Sequence, residues 1–182
     1  MKKRRAGVSV STRRLTACAL LCALNVVFLY LGALFEVLDL SMAVVASFTG
    51  VFAVIELGRA APWMIFAVTG ILSGLLLPMP KTPALLYVLF TGYYPILKAY
   101  IERLPRLLSL ILKLIIFNAA LTVLIYATMY VFTGGERAAW VDAVIYVVGN
   151  FTFLVYDLAM TRLISIYLRV WRKRFRFDGL FR

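Results

Sequence analysis

The feature that most constrains this chain is that its apolar residues come in runs of about membrane length. A helix crossing the hydrocarbon core needs about 20 mostly apolar residues. Six stretches approach that length: 15–34, 41–57, 62–77, 83–99, 107–132 and 140–168. Composition closes the alternative. Of 182 residues, 64% are hydrophobic and 15% charged, against about 45–50% and about 25% in ordinary soluble domains. A soluble globule of this size has too little interior for so much apolar surface.

The breaks between runs have local causes. Glu36 and Asp39 end the first. Pro62 opens the third, where its missing N–H costs little. Pro78, Pro80 and Pro83 make a segment that cannot continue a helix, and Pro105 separates the fourth and fifth runs. Thr133-Gly134-Gly135-Glu136 reads as a turn. Pro95 is expected to kink the fourth helix. The expected fold is all-α: a single integral-membrane domain over residues 1–182, a polytopic bundle of six transmembrane helices. The first run follows a basic stretch, as in a secretory signal. Its apolar core of about 20 residues exceeds the usual length of about 7–15, and no small-x-small cleavage site precedes Glu36. It is read as a retained helix.

The formal net charge is +12, with 20 Lys and Arg, 8 Asp and Glu and no His. Placed on six spans, 16 of the 20 cations fall on one side. They are Lys2, Lys3, Arg4, Arg5, Arg13 and Arg14 in the tail 1–14, then Arg59, then Lys98, Arg103 and Arg106 around the fourth connection, then Arg169, Arg172, Lys173, Arg174, Arg176 and Arg182 in the tail 169–182. The other side has Lys81 and Arg137 beside Glu36, Asp39, Glu136 and Asp142. This is the positive-inside pattern. It predicts a multi-pass cell-membrane protein with both basic tails cytoplasmic. The tails are expected to hold anionic lipid, and the charge serves orientation rather than nucleic-acid binding.

An enzyme is not expected, nor a cofactor. Without His there is no Ser-His-Asp triad. Cys18 and Cys22, four apart on one helix, lack metal-ligand spacing. The acids are scattered, without the spaced aspartates of CDP-alcohol transferases.

Polar side chains inside spans are functional candidates. At about 100° per residue, Asp142, Tyr146, Asn150, Asp157 and Thr161 share one face of the sixth helix, with Phe153 among them. Tyr87, Thr91, Tyr94 and Lys98 line up on the fourth, and Asn118, Thr122 and Tyr126 on the fifth. The stripes suggest either an internal polar pocket or interhelical hydrogen bonds with no ligand. Asp157, deep in its span, needs a partner. Lys113 is a candidate, or it snorkels to the inner interface, and the partner stays open. On the first helix, Ala19 and Ala23 have small-xxx-small spacing that admits a close neighbour, with Asn25 roughly opposite.

With its basic tail, then Thr12-Arg13-Arg14-Leu15-Thr16-Ala17-Cys18-Ala19-Leu20-Leu21-Cys22-Ala23, the chain resembles the substrate-binding S component of an energy-coupling factor (ECF) transporter. The likeness covers nearly the whole chain as architecture. It implies six helices, cytoplasmic termini and uptake of a vitamin or similar micronutrient bound near the outer side. It assigns Ala19 and Ala23 to packing against a membrane-embedded coupling subunit, and the driving force to cytoplasmic ATPase subunits, in keeping with the missing Walker A motif. The stripes then make Tyr87, Asn118, Tyr126, Tyr146 and Asn150 the candidate substrate-binding residues. No vitamin-specific signature is present, so no particular substrate follows. The alternative is a non-transport scaffold of the bacterial cell envelope or cell-shape machinery, in which the stripes are glue alone.

Overall fold

The computed structural model of the chain describes residues 10–58, 60–78, 81–129 and 139–171. The regular structure among them is helical throughout. We number six helices: α1 (Val10–Leu34), α2 (Asp39–Leu57), α3 (Ala61–Leu76), α4 (Thr82–Ile101), α5 (Arg106–Thr128) and α6 (Ala139–Ile166). A single 3-10 turn, Glu36–Leu38, joins α1 to α2. A π-turn, Tyr167–Trp171, extends α6. Five of these helices are long and apolar enough to cross a membrane. The shorter α3, at 16 residues, reaches about 24 Å at 1.5 Å per residue, short of a hydrocarbon core of about 30 Å. The Thr133–Glu136 turn and most of both basic tails lie outside the described residues.

The breaks follow the sequence chemistry. Pro62 sits in the first turn of α3. Gly58, with φ +88°, ends α2 in a backbone region that side chains disfavour. Pro95 acts more strongly than a kink. It starts a new helical segment, Tyr94–Ile101, after a π-turn over Tyr87–Thr91. Proline has no N–H to return to the preceding turn. The Gly92 N–H reaches back to the Tyr87 carbonyl at 2.8 Å instead. A Cβ on Gly92 would lie 2.7 Å from both the Phe66 ring and that carbonyl. At the other end of the fourth helix, Lys81 donates to the Gly74 carbonyl in the last turn of α3, where a cation suits the helix dipole.

Successive helices run in opposite directions. The start of α1, the α2–α3 turn, the α4–α5 turn and the end of α6 therefore share one end, the basic end. Two cores hold α1 to α4 together. Cys22, Ala53, Leu57, Ala61 and Ile65 fill the space between α1, α2 and α3 at the basic end. Leu29, Ala33, Ala43, Ala46, Leu77, Ala84 and Tyr87 fill the opposite end. Alanine supplies two of the five residues at the basic end and four of the seven at the other, which lets backbones approach closely where lipid removes the usual hydrophobic drive. The third core joins α2 and α4 to α5 and α6 through larger side chains: Val51, Tyr94, Phe153, Tyr156 and Met160. Half of the α4 span is buried, against 17% of the α5 and α6 spans. The last two helices form a hairpin leaning on α4, with Ile111, Ile115, Val147 and Phe151 facing outward.

Candidate functional site

Three groups of polar side chains bear on function, beside single contacts such as Tyr156–Ser47 and Tyr167–Glu56. The largest lies toward the basic end, where α4, α5 and α6 meet. Tyr94, Lys98 and Glu102 follow each other at four-residue spacing, one turn apart on one face of a helix. Lys113 comes from α5 and Asp157 from α6. Lys98, 1% exposed, pairs with Asp157 and with Glu102 at 2.7 Å. Lys113 lies 3.1 Å from Glu102 and 3.1 Å from both Asp157 oxygens. Each lysine thus bridges both carboxylates, and the four charges cancel. Tyr94 donates its hydroxyl to Asp157. Lys98 donates to Thr161 Oγ1 at 2.8 Å, and that hydroxyl donates to the Asp157 carbonyl.

The partners of Asp157, left open by the sequence, are thus Lys113, the candidate named there, and Lys98. Lys98, counted by charge with the basic side and by spacing with the stripe of the fourth helix, is a buried interior charge. Lys113 does not snorkel outward; it is buried against Asp157. Charges in lipid are costly unless paired, and here pairing is complete. A closed, neutral quartet has little left to offer a ligand. Its chemistry is that of a three-helix tie.

The second group is neutral. Thr49 of α2 donates to Asn25 Oδ1 of α1 at 2.6 Å, and Asn25 Nδ2 donates to the Tyr87 hydroxyl of α4 at 3.5 Å. Asn25 is fully buried, whereas Ala19 and Ala23 on the other side of α1 are exposed. Tyr87 is buried here, its ring 6.0 Å from that of Phe66.

The third group joins α5 to α6. Asn118 and Asn150 exchange amide hydrogen bonds of 2.9 and 3.0 Å. Their remaining amide hydrogens go to the carbonyls of Leu114 and Tyr146, one turn back on their own helices. The Thr122 and Tyr146 hydroxyls lie 2.6 Å apart. The structure therefore brings Asn118, Tyr146 and Asn150 together, but pairs the two asparagines with each other and the Tyr146 hydroxyl with Thr122. Tyr126 is 65% exposed and joins none of the three groups.

A cavity of about 380 Å³ lies between α2, α4, α5 and α6. Its walls are the N-terminal half of α2 (Leu40, Val44), the first half of α4 (Leu86 to Thr91), the C-terminal half of α5 (Phe117 to Leu124) and α6 from near its start to just past its midpoint (Val144 to Tyr156). By the alternation of helix direction, all four belong to the end opposite the basic one. None of the five candidate substrate-binding residues lines it. Its floor is aromatic. Phe117 and Phe153 stack at 4.6 Å, and Phe90 packs edge-on to both. Beneath them, the Tyr94 ring lies 4.9 Å from Phe90 and 5.3 Å from Tyr156. Tyr94 thus lies between the aromatic floor of the cavity and the quartet, packed on the one and bonded to the other. Sequence reasoning marked Phe153 only as a neighbour of polar residues. Phe90 and Phe117 carried no signal at all, since a cavity wall in lipid has the same composition as a lipid-facing surface.

The chain matches no protein-family model, no curated protein and no solved structure. Function is therefore argued from the geometry.

Proposed function

We propose that this protein is the substrate-binding subunit of an ECF-type uptake transporter, with six spans and cytoplasmic termini. The observation that carries the reading is the cavity: a small-molecule-sized chamber confined to the end opposite the basic one. With the basic end cytoplasmic under the positive-inside rule, the cavity faces outward, where an uptake subunit must receive its solute. Its volume falls in the range of about 300–1,000 Å³ common for small-molecule sites. The exposed Ala19 and Ala23 support a second role of the same reading, a close-packing surface for a membrane-embedded coupling subunit. Energy then comes from cytoplasmic ATPase subunits.

The test is purification in mild detergent followed by mass spectrometry of the co-purified small molecules. One compound at near-stoichiometric yield, lost in the cavity-filling variant Ala120→Phe, is the expected result. Repeated preparations without any compound, together with no capture of a coupling subunit on co-expression, would overturn the reading.

One observation favours the scaffold reading: Asn118 and Asn150 are spent on each other and the Tyr146 hydroxyl on Thr122, as interhelical glue requires. Under that reading Ala120→Phe complements a deletion strain as well as the parent protein does.

A further inference from the structure

The hydrogen-bonding state of the cavity wall bears on what it holds. Three lining residues carry polar side chains; Thr152 and Tyr156 have spent their donors, and Thr91 makes only a long contact. Thr152 donates to the Val148 carbonyl at 2.9 Å, one turn back on α6. Thr91 points its hydroxyl at the Leu86 carbonyl at 3.5 Å. Tyr156 donates to Ser47 Oγ at 2.9 Å, and Ser47 donates in turn to the Val44 carbonyl at 2.6 Å. The rest of the wall is Leu, Val, Ile, Ala, Gly and Phe. The wall contains no charged side chain. The amides that could have supplied donors, Asn118 and Asn150, are locked in their reciprocal pair.

A carboxylate or phosphate placed here would lose its hydration and receive little in exchange, a cost of several kcal/mol or more. A carbonyl or amide oxygen would meet at most one donor, the Thr91 hydroxyl. What the wall offers is aromatic faces, aliphatic surface, that one hydroxyl donor and hydroxyl lone pairs able to accept one hydrogen bond. The rim adds a second observation. Leu40, Val144 and Val148 line the cavity and are 45%, 51% and 56% exposed, and they belong to spans whose exposed faces meet lipid. The cavity thus opens through apolar side chains rather than through a polar vestibule.

We infer that the cavity takes an uncharged, predominantly apolar small molecule with a ring system, seated against Phe90, Phe117 and Phe153 and reached from the bilayer. The inference rests on the uptake reading only in treating the cavity as the ligand site. It departs from a charged, water-soluble micronutrient.

The test uses the full-length protein in phosphatidylcholine nanodiscs and two radiolabelled probes of matched shape, naphthalene and its carboxylate 2-naphthoate. Binding is corrected for uptake by empty nanodiscs. Ala120→Phe fills the cavity from α5. Val148→Trp fills it from the exposed rim, where a misfolding risk is small. The expected result is saturable naphthalene binding to the parent protein, abolished in both variants, with 2-naphthoate weaker by about a hundredfold or more. If 2-naphthoate binds as well as naphthalene and both are lost on filling, the apolar class is overturned while the cavity stands as the ligand site. If neither probe saturates above empty nanodiscs, lipid chains occupy the cavity and the proposal falls. A charged compound that co-purifies and survives both filling variants would also overturn it, while leaving uptake itself in place.

Discussion

The helices α1 to α4 and the α5–α6 hairpin solve one problem in two ways. In lipid, helix association gains little from burying apolar surface, so close packing or polar ties must replace it. The first four helices use small residues: Ala33, Ala43, Ala46, Ala53 and Ala61 are all buried between them. Their polar contact, Asn25–Thr49–Tyr87, is uncharged. The hairpin has few small residues at its inner face. It is held by a charge quartet near the basic end and bound to itself by the Asn118–Asn150 pair. Helices that meet through alanine approach closely and leave less space, a pocket of about 180 Å³ beside Val54, Pro62 and Ile96. Helices tied at separated polar points and padded by large aromatics leave more, and the cavity lies on that side of the molecule. The difference teaches that the loosely packed region is where a ligand fits, while the tight region forms the frame.

The comparison breaks most easily at Asp157. Replacing it with Leu leaves Lys98 and Lys113 buried around a single, half-exposed Glu102. The expected loss is about 3–5 kcal/mol, read as reduced resistance to unfolding in detergent. Adding Lys98→Met to the same chain leaves one lysine against one carboxylate, and should restore most of the loss. If the double variant is as weak as the single one, the quartet is more than a tie.

A smaller effect is expected in the frame. Gly92→Leu forces side-chain atoms into the Phe66 ring and the Tyr87 carbonyl, and should cost about 1–3 kcal/mol through overpacking. The same measurement checks it, and a neutral result would mean the frame is not close-packed there. Asn25→Leu removes the neutral contact and leaves the Thr49 and Tyr87 hydroxyls to find new partners. The expected cost is about 1–2 kcal/mol, below that of Asp157→Leu, so the order of the two variants tests the contrast between charged and neutral ties directly.

In the hairpin, Asn118→Leu should cost about 0.6–1.7 kcal/mol, the range for hydrogen bonds between membrane helices. Pairing it with Asn150→Leu should be milder than the sum, because no amide is then left unsatisfied. A double-mutant cycle gives this coupling. Smallest of all, Ala19→Leu together with Ala23→Leu changes an exposed face and should alter stability by less than about 0.5 kcal/mol. If that face packs on a coupling subunit, the same variant abolishes co-purification of that subunit and spares ligand binding.

Much of the frame was legible in the chain. Apolar runs and prolines placed all six helices within a few residues, because both signals are local: a span needs length, and a proline stops or starts a helix wherever it stands. The need of Asp157 for a partner was legible too, since a lone carboxylate in lipid is costly. Lys98 was counted with the basic side because it stands near a helix end, where a cation ordinarily belongs to the interface. Only the approach of α6 to α4 turns it inward. The candidate substrate residues were chosen for polarity, and the stripes on α5 and α6 turn inward in part: Asn118, Thr122, Tyr146, Asn150 and Asp157 are at least half-buried, while Tyr126 and Thr161 are exposed. Polarity marks where helices bind each other as well as where they bind a ligand, and the geometry gives Asn118, Tyr146 and Asn150 to the former.

By itself, then, the amino-acid sequence determines the helices, their order along the chain and the skew of charge toward one end, because these depend on length, hydropathy and backbone chemistry within a few residues. Which lysine meets Asp157, which amides satisfy each other, and where four helices stand apart enough to enclose a cavity were decided only in three dimensions. An apolar residue reads the same in sequence whether it faces lipid, a packed neighbour or an empty space, and only the tertiary structure tells these apart.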